Sequence, residues 1–171
     1  MKSGIKILAL LLLAMWLGAA VFFSASVAPN VFGVLRRADL PNASSLAGSI
    51  VSPLLSTLNH AGFEIAIALL VMSFFLTGGQ STFRKLSQMI SLAILAVTTA
   101  LGHWVLAARI AALRASMQVP IDQISPSDER RIAFDSLHRY SVLVFAVAIC
   151  AAAAGFILIA LELKRPERSL T

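Results

Sequence analysis

The chain has 171 residues, 58% of them hydrophobic and 13% charged, about half the charged share of a soluble domain. Its length fits one domain, and a mean hydropathy of +0.87 spread along the whole chain excludes an ordinary soluble enzyme and places most of it in lipid. The net charge of +6, from 14 Lys and Arg against 8 Asp and Glu, comes singly or in pairs at the ends of apolar runs, as at Arg36-Arg37, Arg84-Lys85 and Lys164-Arg165. That placement excludes a stripe following a phosphate backbone, and with it a nucleic-acid partner. It is the pattern of membrane orientation signals, with the lipid bilayer and its anionic headgroups as the counterpart.

Taken in order, the first apolar run is charge-free from Ile7 to Leu35, after Lys2 and Lys6. The beginning imitates a signal peptide, and Ser26-Val27-Ala28 imitates a cleavage site. The apolar stretch is longer than a signal peptide needs, however, and Pro29 after the site fits an extended protease substrate poorly. The expectation is an uncleaved first span over 5–28, ended or kinked by Pro29, with cleavage after Ala28 as the alternative. From Leu40 to Phe83 the single charge is Glu64; as one helix this run would reach about 66 Å, more than a bilayer takes. Pro53 and Gly78-Gly79 are the natural breaks, so a short interfacial helix over 42–52 and a second span over 54–77 are expected. The third span, 86–108, includes His103, and the fourth, 138–161, includes Cys150 and stops at Glu162. With no second cysteine, disulfides and thiolate metal sites are excluded, and Cys150 reads as a small packing residue. The fold class is therefore all-α: one polytopic domain, a four-transmembrane-helix bundle. Small residues four apart, such as Ala20 and Ser24, Gly62 and Ala66, Ala96 and Ala100, and Ala151 and Gly155, permit close helix contact in lipid, in this chain or in a homo-oligomer.

The long polar connection runs from Arg109 to Arg139. Within it Ser125-Pro126-Ser127-Asp128 reads as a helix start, with Ser125 at the N-cap and Asp128 closing a capping box, and Asp135 and Arg139 stand as an i,i+4 pair on a solvated helix face. Seven cations fall on each side of the membrane; because short segments weigh more than a long loop, both termini are expected to face the cytoplasm of a bacterial inner membrane.

Chemistry-bearing residues are few. Glu64 sits about ten residues inside the second span with His60 one turn earlier on the same face, and intramembrane ionisable groups normally face protein or water and have partners. Glu64 is therefore expected to face the bundle, either as a structural hydrogen-bonded group or as part of a functional site. His103, beside Trp104, reads first as an interfacial aromatic pair. Alternate crossings nevertheless bring His60, His103, Arg109 and His138 toward one side, with Glu64 a turn deeper, a composition able to hold a transition metal or heme or to relay protons. No ligand pair has diagnostic spacing, so no cofactor is assigned. Arg109, Arg114, His138 and Arg139 are expected at the membrane surface near Asp128, Glu129 and Asp135, snorkelling to headgroups. No nucleophile elbow and no phosphate loop is present, and no catalytic residue is assigned.

Met15-Trp16-Leu17-Gly18, Val27-Ala28-Pro29-Asn30-Val31-Phe32, Ala108-Arg109-Ile110 with Leu113-Arg114, and Phe134-Asp135-Ser136-Leu137-His138-Arg139-Tyr140-Ser141 together resemble the transmembrane-protein-205-like family. The resemblance implies a four-helix membrane protein without an established activity. The chain departs from the family pattern at Ala108, where a Pro often precedes the Arg, and at Val144-Phe145, where an Asn often follows. Two functions stand against each other. One is a non-enzymatic membrane bundle serving membrane homeostasis, assembly or export, alone or with another membrane protein. The other is a metal- or heme-binding redox or transport protein using His60, Glu64, His103 and His138, in the style of copper-resistance D-type membrane proteins.

Overall fold

A computed structural model of the chain describes residues 2–75 and 82–163. Four long helices account for nearly all of it. Helix α1 joins α-helical Lys2–Phe22, a π-helical turn Phe23–Val27 and α-helical Ala28–Arg37. Helix α2 is Ala43–Phe75; α3 joins Thr82–Ala100, a second π-helical turn Leu101–Leu106 and Ala107–Ser116; α4 is Glu129–Leu163, preceded by a short 3-10 turn Ile121–Gln123. All four are long and apolar enough to cross a membrane. At 31–35 residues each is about 50 Å long, well beyond the ~30 Å of a hydrocarbon core, so their ends reach into the headgroups and water.

The packing follows the amphipathic spacing. On α1, Ala9, Leu13, Trp16, Ala20 and Phe23 recur three and four apart and are buried, forming one stripe. They meet Ala66 and Leu69 of α2, Leu92, Leu95 and Ala96 of α3, and Phe145, Ala148 and Ala152 of α4 in a single cluster. Each of α1 and α3 packs against both α2 and α4, which closes an antiparallel four-helix ring. Lys6 and Glu162 form an ion pair of 3.5 Å, so the start of α1 and the end of α4 share one end of the bundle. Only 22–33% of the residues in each apolar window are buried inside the bundle; the rest, including Met15, Phe22, Val97 and Leu143, make an apolar outer wall. An apolar exterior around a modest core is the arrangement lipid requires.

Several sequence expectations change. Pro29 does not end α1. A proline cannot donate to the carbonyl four residues back and crowds it; the π turn just before it opens the ladder, with the Ala28 N–H donating to the Phe23 carbonyl, and the helix runs on to Arg37. The segment 42–52 is not a separate interfacial helix but the first part of α2, which passes through Pro53 without a break. Pro53 has no N–H to give the Ser49 carbonyl, and hydroxyls on either side of it bond back within the helix, Thr57 Oγ1 donating to the Pro53 carbonyl and Ser49 Oγ to the Leu46 carbonyl. Helix α4 begins three residues later than the capping-box reading placed it. Asp128 is its N-cap, accepting the Arg130 N–H at 2.8 Å, while Ser125 closes the turn before it. Asp135 pairs with Arg131 at 3.2 Å and not with Arg139, which reaches Ser136. Cys150 is exposed on the outer wall instead of packed inside. The Gly78-Gly79 break lies outside the described residues, as does the end of the expected 54–77 span.

Candidate functional site

Two polar regions stand out from the apolar frame, one at mid-span on the outside of α2 and α3, the other at the end where the 117–128 connection lies.

The mid-span region is built on the α2 face that carries Ser56, His60 and Glu64 at four-residue intervals. Glu64 Oε1 lies 3.7 Å from His60 Nε2. The side chains are 48% exposed for His60 and 65% for Glu64, so the expectation that Glu64 faces the bundle is overturned. The inward face of this part of α2 is already occupied: Asn59 and Ala66 are buried, and Gly62 lies so close to Trp16 and Thr99 that an added Cβ would stand 2.7 Å from the Trp16 Nε1. Trp16 holds that contact by donating its indole N–H to the Leu58 carbonyl at 2.8 Å. Glu64, two positions after Gly62 and so about 200° round the helix from it, has only the outer wall left.

Across from His60, α3 supplies His103 from within its π turn. That turn is closed by the Ala107 N–H donating to the Gly102 carbonyl. Gly102 itself is buried against the Asn59 carboxamide, where an added Cβ would stand at 2.8 Å. The His103 ring stacks on His60 at 4.9 Å between centroids, tilted 34°. Its Nδ1 lies 3.0 Å from the Ser56 carbonyl and 2.9 Å from Ser56 Oγ. A carbonyl only accepts, so Nδ1 carries a proton and donates it to Ser56. Trp104 and Phe63 meet edge to face at 4.9 Å beside the two rings. The sequence candidates His60, Glu64 and His103 are thus brought together, about 9 to 15 Å inward from the level of Arg109 at 1.5 Å per residue. His138 instead stacks on Phe134, 6.4 Å away and nearly parallel. Among the described residues no group of three or more His, Cys, Asp or Glu side chains is placed to hold a metal ion. Within one chain the region offers an imidazole–carboxylate pair and a second imidazole held by Ser56.

The second region is a collar at the bundle end. Arg114 turns inward instead of snorkelling outward. It donates to the Gly48 carbonyl at 3.3 Å and to Ser52 Oγ at 3.0 Å, lies in the space a Gly48 Cβ would need, and sits 5.2 Å over the Phe134 ring. Arg109 and Arg139 remain exposed. Asp122, from the 3-10 turn, accepts the Ser44 and Ser45 N–H groups at 3.2 and 2.9 Å, capping the start of α2 from far along the chain. Burial alone would raise its pKa, but the hydrogen bonds from Ser44 and Ser45 outweigh that and hold it below the ordinary 3.8. Asp128, hydrogen-bonded by the Arg130 side chain and N–H, is pushed down to about 2. Arg131 ties the same collar together through the Ile121 carbonyl at 2.7 Å, over a small cluster of Met117, Ile121 and Ile124. Sequence reasoning missed the Asp122 cap, because a cap supplied from another element leaves no local motif. The Lys6–Glu162 pair was within reach of it, since alternate crossings put both residues at one end.

A family model described as a domain of unknown function, DUF4149, matches residues 11–118, from α1 through the end of α3. The description does not carry the transmembrane-protein-205 name, and the Phe134–Ser141 motif lies beyond the matched residues. No curated protein and no solved structure matches the chain.

Proposed function

Given that the chain belongs to the DUF4149 family, a domain of unknown function, we propose from its own geometry that it is a non-enzymatic membrane protein that works by assembling with another polypeptide inside the bilayer. The observation that carries this reading is the outward placement of Glu64 and His60 at mid-span. On an insertion scale, an acidic residue at a helix centre costs about 2.5 to 3.5 kcal/mol. Exposed to acyl chains it has only the His60 imidazole at 3.7 Å to offset that cost; a second polypeptide can add hydrogen-bond donors. The exposed Trp104 and the neighbouring Phe63 widen the same face with aromatic surface, the composition that anchors interfaces. The motif likeness to the transmembrane-protein-205-like family, a bacterial inner-membrane location and cytoplasmic termini belong to the same proposal. The metal or heme reading finds less support in the single chain, because His138 is drawn to Phe134.

The test is the size of the complex extracted from native membranes in mild detergent. Glu64→Leu removes the carboxylate from the outer wall and leaves the core untouched, so it should fold as well as the wild type and run as a smaller species. A wild-type chain that is already monomeric, or a complex of unchanged size in Glu64→Leu, would contradict the proposal.

A further inference from the structure

We infer that His60 and Glu64 form half of a divalent transition-metal site, completed by the same two residues of a second copy of this chain. The inference rests on the assembly reading above and names its partner and its ligand. Metal–nitrogen and metal–oxygen bonds of about 2.0 to 2.2 Å place two ligands of a tetrahedral ion about 3.4 Å apart. His60 Nε2 and Glu64 Oε1 are 3.7 Å apart, so a small rotation of either side chain brings both to one ion. The spacing is the natural one for chelation from a helix: residues four apart lie one above the other on one face, and an ion between their levels is reached by both.

Among the described residues a single chain stops at two such ligands. Two copies inserted in the same orientation are related by a two-fold axis along the membrane normal, because any other axis would place the copies at different depths or opposite orientations. That axis brings each residue to the depth of its own counterpart. With the α2 faces together, two imidazoles and two carboxylates surround one point, a four-coordinate nitrogen and oxygen set of the kind that suits zinc and its neighbours. The charge also closes: two carboxylates and two neutral imidazoles around a dication sum to zero, which is what lipid-level burial demands. His103 acts as a positioning residue. Its Nδ1–H is tied to the Ser56 carbonyl and its ring lies on His60, restricting the imidazole that must meet the ion.

The experiment uses the full chain in detergent micelles, given Zn2+ alone and then freed of excess. Metal content and oligomeric state are measured before and after chelation. The expected result is half an equivalent of zinc per chain, a dimer that dissociates when the metal is chelated, and loss of both metal and dimer in His60→Gln and in Glu64→Gln. His103→Gln should weaken zinc binding without changing the half-equivalent limit, and His138→Gln should change neither readout. Circular dichroism confirms that each variant is folded. Absence of bound zinc, a full equivalent on a monomer, or binding unaltered by His60→Gln and Glu64→Gln would overturn the inference. A dimer that persists after chelation yet is lost in Glu64→Leu would also overturn it, while leaving the assembly reading in place.

Discussion

Single residues decide how closely these helices approach, and glycine shows it most directly. An added Cβ at Gly62 would stand 2.7 to 2.9 Å from the Trp16 ring and Thr99 Cγ2, whereas at Gly155 its nearest neighbour would be Leu92 at 3.7 Å, ordinary contact. Gly62→Ala is therefore expected to cost about 1 to 3 kcal/mol by overpacking, and Gly155→Ala to cost little; thermal unfolding in detergent compares them, and equal Tm values would refute the close approach. Asp122 makes a second residue-scale prediction. Losing an N-cap carboxylate costs about 1 kcal/mol, so Asp122→Ala should lower Tm at neutral pH. Because the folded-state pKa of Asp122 lies below its ordinary value, its contribution is full above the ordinary carboxylate range and is lost as pH falls through the lowered value. The Tm gap between Asp122→Ala and wild type should shrink on going from pH 7 to pH 3. A gap that stays constant would mean that the carboxylate is not the cap.

At the scale of elements, four spans were legible because lipid forces a simple code: long charge-free runs closed by charges. What the code does not carry is where a helix continues outside the hydrocarbon, since polarity stops marking helix ends once water takes over. Pro29 and Pro53 were read as breaks for that reason, and the structure absorbs one with a π turn and carries α2 straight through the other. The site was half legible. The spacing of His60 and Glu64 was visible as a shared face, and alternate crossings brought His103 near them. Which way that face points depends on Gly62 and Asn59 taking the inner side, a packing outcome without a motif. Arginine placement shows the same limit. Arg109 and Arg114 look alike in sequence, but Arg114 is the one bound to Gly48, Ser52 and Phe134. Arg114→Leu removes the bonds to the Gly48 carbonyl and Ser52 Oγ of α2 and should lower the yield of folded protein and its Tm. Arg109→Leu should change both far less, and the reverse order would show that the collar does not anchor α2.

The described residues form a closed ring of four antiparallel helices, with the start of α1 and the end of α4 at the end marked by Lys6 and Glu162 and the collar at the other. Reporter fusions within the 76–81 connection and at Gln123 should therefore report opposite sides of the membrane; agreement between them would break the topology. Within that frame the central claim is that the α2 face bearing Glu64 meets another copy in the bilayer. Ile67 continues this face one turn below Glu64 and is exposed, while Leu11 is exposed on α1, away from it. In a Cys150→Ala background, Ile67→Cys in native membranes should be trapped as a disulfide-linked dimer under mild oxidation, and Leu11→Cys should remain monomeric. Cross-linking from Leu11→Cys and none from Ile67→Cys would contradict the account.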